Sequence, residues 1–174
     1  MVPGAAGTRS DYPGAKEGPL MTVMRELIAA RDVAASCQDV WSVLANGWTY
    51  SQWVVGNSRT RAVDPHWPQP GSAIRHSIGV WPLVIDDQTV VESCAPGREI
   101  VLHAGLGWLG AARITMRLQG IPTGCQVEMI ELPVQGPMRV IPDRLALAAI
   151  YPRNRECLLR LAAMAERFEP SQVT

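Results

Sequence analysis

The sequence predicts an α+β fold: a curved antiparallel sheet of about seven strands around one long C-terminal helix, with two small helices after the first strand. Three observations carry that expectation. From Asn57 to Leu132, short β-rich runs alternate with the turn signals "DPHWPQPG", "WPLVIDD", "CAPGRE" and "GIPTGC". The connections between those runs are too short for helical crossovers, so the strands form an antiparallel meander. Beyond Pro142, apolar residues recur at helical spacing over more than twenty positions.

The first strand is expected over Thr22–Val33, "TVMRELIAARDV", with imperfect alternation between its faces. The segment "ASCQDVWSVLANG" follows. Ser36 and Asp39 stand at capping-box spacing, with Asp in place of the usual Glu, and Val40, Trp41, Leu44 and Ala45 make an apolar stripe. Asn46-Gly47 closes this helix through the left-handed geometry that Gly tolerates. A second short helix, 49–54, carries Tyr50 and Trp53. Strands are expected near 57–65, 72–81, 84–94, 98–106, 109–119 and 124–132. The last helix begins at Pro142, and Pro152 is expected to break or kink it because its ring removes a donor and clashes with the preceding turn. Cys157, Leu158, Leu161, Ala162, Ala165 and Phe168 form its apolar face, while Arg153, Arg155, Glu156, Arg160, Glu166, Arg167 and Glu169 form the wet one.

A chain of 174 residues suits one domain, placed at 21–170 behind a mobile tail over 1–20 that lacks the apolar run of a signal peptide. Apolar residues are 47% and charged residues 18%, which excludes global disorder. Sixteen basic and sixteen acidic residues balance, and no basic block supplies the footprint of a nucleic-acid partner. No stretch approaches the roughly 20 apolar residues of a membrane span, so no stable membrane insertion is expected. Cys37, Cys94, Cys125 and Cys157 are widely spaced with no C-x-x-C, which argues against a zinc site or any other bound metal. Two long-range disulfides are open to such a set; reduced, buried thiols in a cytoplasmic protein are the favoured reading.

The stretch "VAASCQDVWSVLANGWTYSQWVVG" and the closing "RNRECLLRLAAMAE" resemble the opening and the grip helix of the START-like, helix-grip (SRPBCC) superfamily. That superfamily includes polyketide cyclases/dehydrases, lipid-transfer proteins and the birch-pollen allergen. The resemblance spans roughly Thr22 to Phe168 and is nearest the small bacterial polyketide cyclase/dehydrase type. It implies an apolar ligand held between sheet and long helix; its motifs are structural and carry no catalytic signature.

Candidate site residues follow from strand alternation. On "SAIRHSIGVW", Ile74, His76, Ile78 and Val80 share one face, so His76 points inward with them. An inward histidine orients a ligand oxygen or moves a proton; a packed, hydrogen-bonded core residue is the ordinary alternative. Glu131 continues the face of Cys125, Val127 and Met129, where it binds a polar head group, or instead reaches water at the strand end. Trp41 and Trp53 are core or cavity wall, and Trp81 and Trp108 stand near strand ends where they rim an entrance, with Trp67 doing likewise from its loop. Ile114, Met116, Leu158 and Leu161 complete the expected wall, and Met138 belongs to the lid-like "LPVQGPMRVIP", where Arg139 meets an acidic head group or, as the default, stays in solvent. His103 is expected to pair with Glu99 on the surface, His66 to lie in a loop, and Asp86 and Asp87 to point to opposite faces. "GLGWLG" lacks the ending of a phosphate loop, and no other catalytic or nucleotide-binding fingerprint occurs, so no cofactor is expected.

The leading expectation is therefore a non-catalytic carrier or sensor of a hydrophobic small molecule, lipid-like or aromatic and polyketide-like. The alternative is a cyclase or dehydratase using His76 and Glu131 as acid/base groups. A third reading is a protein-interaction module that uses Trp-rich surface patches. Ligand identity and oligomeric state are not legible at this level.

Overall fold

The structure is a computed structural model that describes residues 27–105, 107, 110–137 and 143–167. The expected tail over 1–20, the beginning of the first strand, Trp108, Met138, Arg139 and Phe168 lie outside the described residues.

Seven strands form one antiparallel sheet: β1 (Leu27–Val33), β2 (Asn57–Val63), β3 (Ala73–Val80), β4 (Leu83–Ala95), β5 (Glu99–Gly105), β6 (Ala111–Ile121) and β7 (Gly124–Gln135). Their order in space is β1-β7-β6-β5-β4-β3-β2. The meander thus runs in sequence from β2 to β7, and β1 joins the far side by pairing with β7, from Leu27 opposite Glu131 to Val33 opposite Cys125. Register shifts in β2, between Val91 and Ser93 of β4, and at the start of β6 give the sheet its local bends. The alternation is clean where the sheet is fully paired. In β5, Ile100, Leu102 and Ala104 are buried, whereas Glu99, Val101 and His103 lie on the other face and are half-exposed.

Helix α1 (Cys37–Ala45) begins with the expected capping box: Asp39 N–H donates to Ser36 Oγ, and Ser36 N–H donates back to the Asp39 carboxylate, both at 3.1 Å. Its end differs from expectation. Asn46 caps it in extended geometry, φ −92° and ψ 90°, and Gly47 does not adopt the left-handed region. Gly47 is instead required by crowding, because a Cβ there would stand 2.6 Å from Val63 Cγ1. A 3-10 turn (Gly47–Thr49) leads directly into α2 (Tyr50–Trp53).

The long helix α3 (Asp143–Ala165) packs against β1, α1, α2 and β7. It runs unbroken through Pro152, against the expectation of a break. Pro152 and Ala148, whose carbonyl loses its helical donor, are both exposed, so the proline lies on the solvent side of the helix. Cys157, Leu158, Leu161, Ala162 and Ala165 are buried on the helix face that meets the sheet, as the periodicity predicts. They join Val40, Trp41, Trp53, Ile74, Met116, Val127 and Met129 in one core cluster.

Cys37 and Cys125 form a disulfide, which corrects the reading of all four cysteines as reduced thiols. Their sequence separation of 88 leaves no local signature. The bridge fastens the first turn of α1 to the start of β7. Cys94 and Cys157 are free. No described helix is long and apolar enough to cross a membrane.

Candidate functional site

The polar groups of the interior gather in two adjoining sets. The first begins on β3, where alternation buries Ile74 and His76 together, His76 being only 3% exposed. Thr89 of β4 lies beside it, opposite Ile74 in register, and is fully buried. Tyr50 reaches the same place from α2. The Thr89 hydroxyl is 2.9 Å from His76 Nε2 and 3.0 Å from the Tyr50 hydroxyl, so the three side chains form a hydrogen-bonded string. The Tyr50 ring also leans on the imidazole, with centroids 5.3 Å apart, and meets Trp53 edge-on at 5.4 Å.

Burial governs the protonation of this string. It pushes the Tyr50 hydroxyl up to about 12, with the Thr89 hydrogen bond and the Arg153 charge opposing it, so Tyr50 stays protonated. Burial also lowers the pKa of His76 below the ordinary histidine value; Asp87 opposes that effect and Arg61 adds to it. A neutral imidazole is the result. Its Nδ1 is buried with no partner among the described residues.

The second set is built by β7 and α3. Glu131 is 1% exposed, so the strand-end exposure weighed from the sequence does not occur. Register explains this: β7 is flanked on both sides at that position, by Leu27 of β1 and Ile114 of β6. Arg153, assigned to the wet face, turns under the helix instead. Its Nη1 donates to Glu131 Oε2 at 2.9 Å and its Nε–H to the Val55 carbonyl at 3.2 Å. A buried carboxylate demands such a partner, because an unpaired charge there is costly to desolvate. Arg153 also donates to Asn154 Oδ1 at 3.3 Å. Asn154 is 1% exposed, and its Nδ2 is a second buried polar atom without a partner. Beside them Cys157 accepts from the Val55 N–H at 3.3 Å, and burial raises its pKa.

The other sequence candidates divide by location. Trp41, Trp53, Ile74, Ile114, Met116, Val127, Met129, Leu158 and Leu161 all belong to the buried cluster, and Ile78 is half-buried. The side chain of Val80 lies outside the description, as do Met138 and Trp108. Trp81 stands in solvent, 84% exposed, at the tip of the β3–β4 hairpin. Trp67 packs against the core and donates its indole N–H to the Leu44 carbonyl at 3.2 Å, so it seals the end of α1 and does not rim an opening. His66 lies in an exposed turn. His103 contacts Glu92 at 3.4 Å and not Glu99, whose carboxylate is taken by Arg117 at 2.8 Å. Asp86 pairs with Arg61, while Asp87 accepts from the Gly107 N–H at 2.6 Å, so the two carboxylates serve separate structural contacts.

The outer face of the sheet holds a shallow depression of about 350 Å³, lined among others by Glu92, Glu99, Arg113 and Arg117. Its arginines pair with its glutamates, Arg113 with Glu92 at 2.7 Å and Arg117 with Glu99. None of the sequence candidates lines it. Sequence reasoning missed Thr89, Asn154 and the role of Tyr50. Asn154 had a signal, since it shares the helical stripe of Ile150, Leu158 and Leu161.

This sheet, wrapped on a long C-terminal helix, is the helix-grip fold. Solved structures bear that out at low identity. A Rhodobacter sphaeroides protein superposes with a TM-score of 0.67 at 19% identity, covering 87% of this chain and 97% of its own. The di-domain ARO/CYC StfQ of the steffimycin biosynthetic pathway gives 0.65 at 13% identity, over 81% of this chain and 50% of StfQ. Ara h 8.0201 gives 0.63 at 6% identity, over 81% of this chain and 97% of its own. No protein-family model and no curated protein matches the chain.

Proposed function

We propose that this protein binds a hydrophobic small molecule, lipid-like or aromatic and polyketide-like, between the concave face of its sheet and α3. Three buried side-chain polar atoms among the described residues lack a partner, His76 Nδ1, Asn154 Nδ2 and Asn57 Nδ2; the observation that carries the reading is that the first two belong to the polar sets of the apolar interior. Buried polar atoms are nearly always satisfied, and a bound molecule with a matching group satisfies them. The fold is shared with an aromatase/cyclase, which supports a ligand-holding role without naming the ligand. Native mass spectrometry of the purified protein, followed by solvent extraction, tests the proposal. A stoichiometric apolar adduct is expected. A bare mass, together with failure to take up apolar fluorescent probes, would overturn it.

A second reading, a cyclase or dehydratase, is favoured by the string His76–Thr89–Tyr50, which is wired to pass a proton. Glu131 serves that chemistry less well than first expected, because its carboxylate is engaged by Arg153. Steady turnover that collapses in His76→Ala while ligand affinity persists would establish the enzyme; unchanged turnover would remove His76 from it. The interaction-module reading draws on the exposed hairpin tip, where Trp81 and Leu83 are 84% and 82% exposed.

A further inference from the structure

The hydrogen-bonded string has a direction, and the direction selects a ligand chemistry. Tyr50 keeps its proton, and among the described residues its hydroxyl has one partner, the Thr89 oxygen. If Tyr50 donates to Thr89, the Thr89 hydroxyl donates onward to His76 Nε2, and the neutral imidazole then carries its proton on Nδ1. The only unsatisfied group in that arrangement is the Nδ1–H. Reversing the string leaves two groups unsatisfied, the Tyr50 O–H and the Nδ1 lone pair, and letting Thr89 Oγ accept from both neighbours also leaves two, the Thr89 O–H and the Nδ1 lone pair. A buried hydrogen bond left unmade costs its full desolvation penalty, so the arrangement with the fewest unsatisfied groups prevails.

Asn154, on α3, gives the same answer. Its Oδ1 accepts from Arg153, a group that only donates, which fixes the amide orientation and leaves the NH₂ unpaired. The unpartnered atoms of His76 and Asn154 are therefore both donors. The guanidinium of Arg153 is already neutralised by Glu131, so an anionic ligand would place a second negative charge beside a pair whose one cation is taken.

We propose that the bound molecule carries a neutral carbonyl oxygen, of a ketone, quinone or ester, that accepts the Nδ1–H of His76, with the Asn154 amide as a second donor facing the same interior. This deepens the hydrophobic-ligand reading and rests on it.

A matched probe pair separates the two. 2-Acetylnaphthalene and 2-isopropenylnaphthalene have the same shape and differ in C=O against C=CH₂. Binding of both to the full-length protein, measured by titration, is expected, with the ketone at least tenfold tighter. In His76→Phe the preference is expected to vanish while the hydrocarbon still binds. Equal affinities in the wild type would overturn the carbonyl assignment and leave the hydrophobic site standing; failure of both probes to bind would overturn both. Should His76→Phe not fold, long-range ¹H–¹⁵N spectra of the wild-type imidazole decide the tautomer. A proton on Nδ1 is expected, and a proton on Nε2 would overturn the assignment.

Discussion

At the scale of the residue, the interior is governed by what burial does to charge. His76 is held neutral by its surroundings, so the unfolded chain takes up a proton at higher pH than the folded protein does. Its contribution to stability is therefore complete above the ordinary histidine value of about 6.5 and is lost as pH falls through and below it. Denaturation across this range should show a steeper acid loss for wild type than for His76→Phe, and the difference between the curves removes the other titrating groups. Arg153 makes the opposite kind of prediction. Arg153→Met strands the Glu131 carboxylate and is expected to cost about 3 kcal/mol, whereas the double change with Glu131→Leu recovers most of that loss. A double-mutant cycle by chemical denaturation checks both. Period-two alternation made His76 legible as inward-facing, because a strand leaves only two choices and Ile74 settles which. Arg153 was not legible. A charged residue on a helix defaults to solvent, and only the neighbouring carboxylate of a distant strand draws it under.

At the scale of the element, order and type were readable almost throughout, since the turn signals between strands and the apolar stripes of the helices are local properties of the chain. What escaped were properties that depend on partners. Gly47 is dictated by Val63 of β2 and not by its own dihedral angles. Pro152 is tolerated in mid-helix because α3 turns that side to water. The Cys37–Cys125 bridge joins residues that only sheet closure brings within reach. Closing a loop with a sequence separation of 88 removes unfolded-state entropy equivalent to about 4.6 kcal/mol, of which measured bridges commonly deliver about 2–4. Reduction, or the paired change Cys37→Ser with Cys125→Ser, is accordingly expected to lower stability by about 2–4 kcal/mol with the fold retained, read by denaturant titration with and without reductant.

At the scale of the whole molecule, ligand occupancy and stability are linked. A molecule that binds only the folded protein stabilises it by about 2.7 kcal/mol at a hundredfold excess over its Kd. The melting temperature should therefore climb with the concentration of an apolar ketone, and it should do so without the single-step saturation expected of a tightly retained cofactor. The helix-grip architecture was readable because strand count, order and the terminal helix all pointed to it. The pairing of interior polar groups was not, since it requires elements far apart in sequence to meet. The disulfide also partitions that interior. Tyr50, His76 and Thr89 fall within the covalent ring that runs from Cys37 to Cys125, while Glu131, Arg153, Asn154 and Cys157 fall outside it. Among the described residues, the hydrogen bonds of Val55 with Arg153 and Cys157 tie the two halves together. α3 reaches the ring through noncovalent contacts with α1 and α2, while its contacts with the sheet go chiefly to β1 and β7, which lie almost wholly outside the ring.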